Sequence, residues 1–252
     1  MRKLSLSFCA GLAALLALPL AAQAPNTAIV RVGVWKVKSG MATQFEAGLK
    51  KHNDFHARQK DPKGLETWVI QSGEGTGNYL RIVTGPNWTD YDRPTVNAAA
   101  DEADSAVNVI PYLDSEMVEW WRFLGDVSHG PAGAAPSPMS VVLFFRINMG
   151  HVQEFMTHAK KITEAARKES WPVNYYWYRL ENGGEHPTFA LVIPKKNFAD
   201  FEEPAVTFAA MIEKAYGRAE AEMLFKGLDK SIASQRSQII GYRADLSYTP
   251  AK

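Results

Sequence analysis

The stretch VGVWKVKSG at residues 32–40 recurs in outline as VLFFRINMG at residues 142–150. Both stretches begin with valine, carry an aromatic residue at the fourth position and end with glycine. The correspondence continues without a gap from residues 32–96 to residues 142–206, always 110 residues apart. Because glycine, proline and aromatic residues mark turns and cores, their shared register indicates one fold written twice. The pairs include Gly40 and Gly150, Phe45 and Phe155, Pro62 and Pro172, Gly73 and Gly183, Asn87 and Asn197, and Pro94 and Pro204.

The first 24 residues have the pattern of an export signal. A basic start precedes an almost wholly apolar run at residues 4–20, and AQA at residues 22–24 supplies small residues for cleavage. Cleavage after Ala22 and cleavage after Ala24 both fit this pattern. The run is too short and too early for a membrane span. We therefore expect a periplasmic or secreted protein without a membrane span.

Composition excludes several classes of function. Cys9 is the only cysteine and lies in the predicted signal, so the mature chain has no disulfide, thiolate metal site, cysteine nucleophile or c-type haem attachment. Removal of Arg2 and Lys3 leaves 26 basic against 27 acidic residues, a net charge of about −1. This balance, without a basic patch, argues against nucleic acid as a partner.

Each half has the predicted order strand, helix, strand, strand, helix, strand. We predict a first half at residues 25–128, a linker at 129–139 and a second half at 140–252. In the first half the predicted elements are strands at 28–37, 65–71, 79–83 and 119–127, a helix at 41–59 and a mostly helical stretch before the last strand. In the second half they are strands at 140–147, 173–180, 188–193 and 238–246, a helix at 151–169 and a helical stretch that ends near 236.

This order is that of a ferredoxin-like fold, in which helices cover one face of the sheet and the other face stays apolar. Two such halves can bury their bare faces against each other. We therefore predict an α+β protein, packed sheet to sheet, that is a monomer with pseudo-dimer symmetry. Two separate sandwich-like domains are the alternative, but the short linker and the equal halves favour mutual packing.

A family resemblance supports this architecture. After the third strand of each half the chain reads Asn-Trp-Thr-Asp-Tyr at residues 87–91 and Asn-Phe-Ala-Asp-Phe at residues 197–201. With the preceding strand, glycine and aromatic-centred helix, this pattern resembles the dimeric α+β barrel superfamily, which includes cofactor-free monooxygenases of the antibiotic-biosynthesis type and haem-degrading monooxygenases. The resemblance implies that one chain forms the barrel that others form as dimers. It carries over no catalytic motif and no haem ligand.

Two histidines stand out on the first long helix. Phe45, Leu49, His52 and His56 form one helical stripe. The repeat places Phe155, Ala159, Ile162 and Ala166 at the corresponding positions. Two imidazoles one turn apart can hold a metal, bind a ligand or relay a proton. The alternative is that both rings lie at a solvated rim. No third ligand is evident in the sequence, so we assign neither a metal nor a cofactor.

The strands carry many aromatic side chains, which predict either a core or a pocket for a flat apolar ligand. Among these, Trp35 and Trp68 lie in strands of the first half, and an arginine such as Arg81 could anchor an acidic group of the ligand. We therefore predict a small-molecule-binding protein, with cofactor-free monooxygenase-like chemistry as an extension. A non-catalytic structural or partner-binding protein with a filled barrel is the alternative. The predicted ligand-binding residues are His52, His56, Phe45, Trp35, Trp68 and Arg81.

Overall fold

The computed structural model describes residues 27–131 and 133–251, and the predicted export signal lies outside these residues. The described residues form eight strands and five α-helices. The strands are β1 (Ile29–Val37), β2 (Glu66–Ser72), β3 (Tyr79–Gly85), β4 (Leu113–Phe123), β5 (Met139–Ile147), β6 (Tyr176–Asn182), β7 (Thr188–Lys195) and β8 (Ile232–Tyr242). The helices are α1 (Ala42–Arg58), α2 (Ala98–Asn108), α3 (Val152–Lys168), α4 (Phe208–Tyr216) and α5 (Arg218–Ser231).

The eight strands close into one antiparallel barrel. Their order around it is β1-β3-β2-β8-β5-β7-β6-β4, and β4 returns to pair with β1. The pairs β2–β8 and β4–β6 each join a strand of the first half to a strand of the second half. A closed barrel has no free strand edge. The alternative of two separate sandwich-like domains was therefore wrong.

Most elements recur at the spacing seen in the sequence. β5, α3 and β6 begin and end 110 residues after β1, α1 and β2. The last strand, β8, instead follows β4 by 119 residues, because the second helical stretch is longer. Gly217, with a backbone φ of +82°, separates α4 from α5 there, whereas α2 is a single helix.

The predicted last strands began too late. β4 starts at Leu113 rather than at 119, and β8 starts at Ile232 rather than at 238. The polar run from Ala233 to Gln238 continues a helix-like pattern, but β8 pairs with the whole of β5 and is held as a strand by that ladder. Residues 125–127 and 244–246, predicted as strand ends, form short 3₁₀ turns. Pairing with the neighbouring strands therefore overrides local propensity at the starts of β4 and β8.

Two glycines permit the barrel to close. Gly73 follows β2 with a φ of +89°, and a Cβ there would lie 2.4 Å from the carbonyl oxygen of Ser237 in β8. Gly183 follows β6 with a φ of +97°, and its Cβ would lie 2.2 Å from the carbonyl oxygen of Val118 in β4. Both therefore occupy a conformation that L side chains rarely adopt, and both contact a strand of the other half.

Helices cover the outer face of the barrel unequally. In the second half α3 packs against α4 and α5, and a large apolar core that includes Phe155 and Met211 lies between these helices and the sheet. In the first half α1 packs against the single helix α2, over a smaller core around Trp35 and Phe45. Among the described residues, no helix is both long and apolar enough to cross a membrane.

We expect Gly183→Ala to lower the free energy of unfolding by about 2–4 kcal/mol. The added methyl group would clash with the backbone of β4, and alanine would also be strained at this positive φ. Gly150→Ala is the control, because Gly150 has a φ of +84° with nothing within 4 Å of an added Cβ. It should cost only the strain of about 1–2 kcal/mol. Urea unfolding measures both values, and equal losses would mean that the junction with β4 tolerates a methyl group.

Candidate functional sites on the two faces of the barrel

Side chains alternate along each strand, so the barrel has an inner and an outer face with different contents. On β1, Val30, Val32 and Val34 point inward, whereas Trp35 packs against α1. The inward residues surround a cavity of about 680 Å³. Aliphatic and aromatic side chains dominate its wall, including Trp68, Ile70, Leu80, Trp121, Val142, Phe144, Tyr178, Val192 and Ile240.

Three glutamates interrupt this apolar wall, and two of them accept hydrogen bonds from neighbouring indoles. The indole Nε1 of Trp68 donates to Glu66 Oε2 over 3.1 Å, and that of Trp121 donates to Glu119 Oε2 over 3.0 Å. Burial raises the pKa of both glutamates above their usual value. The sequence carries Glu-x-Trp in β2 and again in β4, and this repeated spacing was the signal by which the two carboxyls could have been predicted. Each carboxyl therefore offers the cavity a polar group whose charge is disfavoured by burial.

The wall also contains a cationic group. Arg236 of β8 lies over the ring of Phe144, with 3.9 Å between the guanidinium carbon and the ring centroid. It also approaches Glu74 at 3.7 Å. The inner cavity can thus meet a ligand with apolar surface, the three carboxyl groups of Glu66, Glu74 and Glu119, and one cation.

On the outer face of the first half, His52 and His56 come together on α1. They are only 8% and 5% exposed, so the alternative of a solvated rim was wrong. Their Nε2 atoms lie 3.3 Å apart. Burial lowers the pKa of His52, which favours its neutral ring.

Each ring has a carboxylate behind it. His52 Nδ1 lies 2.9 Å from Asp104 Oδ1, and His56 Nδ1 lies 2.8 Å from Asp61 Oδ2. Asp61 is itself buried, and the backbone N–H of Lys63 donates to its other oxygen over 2.9 Å. A carboxylate on Nδ1 fixes the ring orientation and directs Nε2 outward.

Helix α2 contributes a third group to the same point. Asp101 Oδ1 lies 3.5 Å from His52 Nε2 and 3.3 Å from His56 Nε2. This buried oxygen has no hydrogen-bond partner of normal geometry among the described residues. The neighbouring His56 ring nevertheless lowers the pKa of Asp101, which favours the carboxylate. The sequence suggested no third ligand for the histidine pair, and the structure provides one.

The close approach of α1 and α2 depends on Gly48. A Cβ at this position would lie 1.8 Å from the carbonyl oxygen of Asn108 at the end of α2. The side chain of Asn97 caps the other end of α2 by accepting from the backbone N–H of Ala100. Cap and contact together orient α2 so that Asp101 and Asp104 face the histidines.

Arg81 lies close to this cluster and is almost fully buried, at 4% exposure. Its guanidinium donates to the backbone oxygens of Leu65 and Leu246 and to the side chains of Asn53 and Thr67. Burial lowers its pKa to about 9. All the hydrogen-bond acceptors that it contacts are neutral, so Arg81 leaves the nearby carboxylates without a direct ion pair.

A cleft of about 790 Å³ lies beside the histidines, between the sheet and α2. Its wall includes His52, His56 and Asp101, together with Arg31 and Trp35. The indole Nε1 of Trp35 is buried without a hydrogen-bond partner among the described residues. The cleft is therefore more polar than the barrel cavity.

The six predicted ligand-binding residues do not surround one pocket. His52, His56 and Trp35 line the outer cleft, and Arg81 lies behind it. Phe45 is fully buried, in edge contact with Trp35. Trp68 points to the opposite face of the sheet and lines the inner cavity. The strand pattern alone did not separate these two faces.

Comparisons with known proteins identify the fold. No family model and no curated protein matches the sequence. A solved structure of a proposed monooxygenase from Lactobacillus acidophilus is 10% identical, with a TM-score of 0.57 over 89% of this chain and 97% of that one. An anthrone oxidase-like protein is 7% identical, with a TM-score of 0.54 over 91% and 96%. A chlorite dismutase from Candidatus Nitrospira defluvii is 8% identical, with a TM-score of 0.51 over 87% and 92%.

These proteins are members of the dimeric α+β barrel superfamily, and the present chain has their fold. The resemblance seen in the sequence is thereby confirmed. At such low identity the likeness defines the fold alone, and the activities in those names are those of the other proteins.

We expect the double variant Glu66→Gln with Glu119→Gln to be more stable than wild type by about 0.5–2 kcal/mol at pH 8, the usual gain when an unfavourable functional group is removed. The folded pKa of each glutamate is raised, so the penalty of its charge is present above the folded pKa. That penalty disappears below the unfolded pKa of about 4.3.

The stability difference between the double variant and wild type should therefore vanish near pH 4, as measured by urea unfolding at both pH values. Glu116→Gln, on the exposed outer face of β4, is the control and should change stability by less than about 0.5 kcal/mol. A double variant less stable than wild type at pH 8 would contradict this prediction.

Proposed function

We propose that this protein is an exported small-molecule-binding protein that holds a largely apolar or aromatic ligand inside its barrel. The observation that carries the proposal is the cavity of about 680 Å³ on the inner face. Pockets for small molecules have volumes of about 300–1,000 Å³. Eight-stranded barrels either fill their interior with side chains or hold one small ligand.

The residues of the wall support the second of these outcomes. Val32, Val34 and Val192 point into the barrel yet stay only partly buried, so apolar surface remains available to a ligand. The alternative of a filled barrel would bury these side chains. Glu66 and Glu119 favour a ligand that carries a hydrogen-bond donor on an apolar body, because a carboxyl oxygen accepts hydrogen bonds in either protonation state.

Oxygenase chemistry on the bound ligand is a second candidate function. It is favoured by the names of two similar structures, which are described as monooxygenases in Lactobacillus acidophilus and Fusobacterium nucleatum. Consumption of oxygen in the presence of a ligand identified by native mass spectrometry would support it. Binding of the ligand without consumption of oxygen would support the small-molecule-binding function and not the oxygenase function.

The chain is further proposed to be a tandem duplication that works as a monomer. The constant spacing of β1, α1 and β2 from their counterparts supports this, as does the chain order of strands within each half of the barrel. Two ferredoxin-like halves joined edge to edge complete the barrel within one chain, and the similar structures match this chain over most of their own single chains.

We expect the protein recovered from the bacterial periplasm to begin at Gln23 or Pro25 and to scatter light as a single chain. The first result follows from the cleavage pattern of the signal, and the second from a barrel without free edges. Intact-mass spectrometry and light scattering measure the two properties. Retention of residues 1–22 would refute export, whereas a dimer mass would refute only the monomer.

Binding to the barrel cavity can be tested with the apolar fluorophore N-phenyl-1-naphthylamine. Wild type should bind one molecule per chain. Val34→Trp, which fills the cavity from β1, should weaken binding at least about tenfold, a loss of about 1.4 kcal/mol. Lys36→Trp is the matched control. Lys36 lies two residues after Val34 on the same face of β1, but its side chain is exposed and does not line the cavity.

Circular dichroism is the check that both tryptophan variants are folded. If wild type binds no fluorophore, or if Val34→Trp and Lys36→Trp bind it as tightly as wild type does, the barrel is not the binding site.

A further inference from the structure

We propose that His52, His56 and Asp101 bind a divalent transition-metal ion in the outer cleft of the first half. This site lies on the opposite face of the sheet from the barrel cavity, and it does not depend on the function proposed above. One ligand atom from each residue converges on a common point, all within 4.8 Å of one another.

The distances fit a metal centre. The three pairs formed by His52 Nε2, His56 Nε2 and Asp101 Oδ1 are separated by 3.3, 3.3 and 3.5 Å. Ligand atoms about 2.0–2.1 Å from a tetrahedral zinc ion lie about 3.3–3.4 Å from one another. The three ligand atoms therefore already have the separations that a tetrahedral ion requires.

The hydrogen bonds of the cluster leave the three proposed ligand atoms available for coordination. If each Nδ1 donates its proton to the carboxylate behind it, both Nε2 atoms of the neutral rings present lone pairs. Asp101 Oδ1 is a third acceptor, buried and without a hydrogen-bond partner of normal geometry among the described residues. A proton on one Nε2 can bridge only one of the three pairs, whereas a cation at their centre satisfies all three atoms.

The charges also favour a dication. Asp61, Asp101 and Asp104 supply three negative charges around the two rings, and Arg81 supplies one positive charge nearby. With neutral histidines, two negative charges remain without compensation within this group. Charged groups that are at least half-buried are rarely left without a compensating charge.

The second half shows that the fold does not require this polar cluster. The residues 110 positions after His52, His56 and Asp101 are Ile162, Ala166 and Met211, and all three are buried in its apolar core. Leu191 likewise corresponds to Arg81, and Trp171 to Asp61. The first half therefore maintains a costly polar arrangement where apolar side chains would fill the same space.

The ligand set selects the kind of ion. Two imidazoles and one carboxylate suit zinc, iron(II) and similar ions, whereas calcium and magnesium prefer oxygen ligands alone. Three protein ligands leave at least one coordination position free, as in catalytic rather than structural zinc sites. The cleft of about 790 Å³ beside the cluster gives a small molecule access to that position.

The test uses the mature chain after dialysis against a chelator. Calorimetric titration with Zn²⁺ should show one site per chain, and Co²⁺ should give a visible ligand-field spectrum typical of low coordination number. Asp104→Asn should weaken Zn²⁺ binding about 10–100-fold, the usual effect of losing a carboxylate behind a ligand. Asp101→Asn, which removes a ligand, should weaken it more.

Glu102→Gln is the matched control, because it removes the same charge from the adjacent, exposed position of α2. It should leave affinity for Zn²⁺ unchanged. The double variant His52→Ile with His56→Ala introduces the residues of the second half and should abolish binding, with circular dichroism as the check on folding. His52→Gln provides a second, smaller change if that variant does not fold.

Absence of one-to-one binding in wild type would overturn the proposal, and so would equal affinity in Asp101→Asn and Glu102→Gln. In that case a proton shared by the two Nε2 atoms accounts for the cluster. Val34→Trp should leave affinity for Zn²⁺ unchanged, so loss of fluorophore binding and loss of metal binding can be told apart.

Discussion

Closure of the barrel by the pairs β2–β8 and β4–β6 is the constraint on which the other features depend. Each pair joins a strand of the first half to a strand of the second half, and each needs a glycine where the strands meet, at Gly73 and at Gly183. Once both junctions form, every strand has two partners and no backbone edge is left to attract another chain. Closure also fixes which side chains point inward, because a shift of one residue would reverse both faces.

The two faces consequently have different chemistry. The inner face gathers valines and aromatic rings around a cavity, and its polar groups include carboxyls that accept from neighbouring indoles, as in Glu66 with Trp68. The outer face of the first half gathers imidazoles and carboxylates between α1 and α2. A single layer of backbone separates an apolar space from a polar one. The barrel cavity and the outer cleft can therefore each bind a separate ligand, and the two ligands need not contact each other.

The sequence was most informative where a residue acts through its own backbone or its immediate neighbours. The glycines and aromatic residues of the repeat predicted the turns and the order of elements, because turn geometry is local. The starts of β4 and β8 were missed, since partner strands rather than local propensity determine them. For the polar cluster, the sequence showed His52 and His56 one turn apart. It could not show Asp101, because only the packing of α2 on α1 brings that carboxylate within reach.

The inequality between the halves follows from the way in which stability is shared in a closed barrel. The core of the second half is largely apolar, as at Phe155, Ile162 and Met211, and its strands pair directly with those of the first half. Because unfolding of either half would expose two strand edges of the other, the apolar half stabilises both. The first half can then tolerate a buried guanidinium at Arg81 and an open cleft beside α2. A dimer of identical chains has to repeat any such arrangement on both sides. Two halves in one chain can differ, so one can keep a complete core while the other holds a polar site.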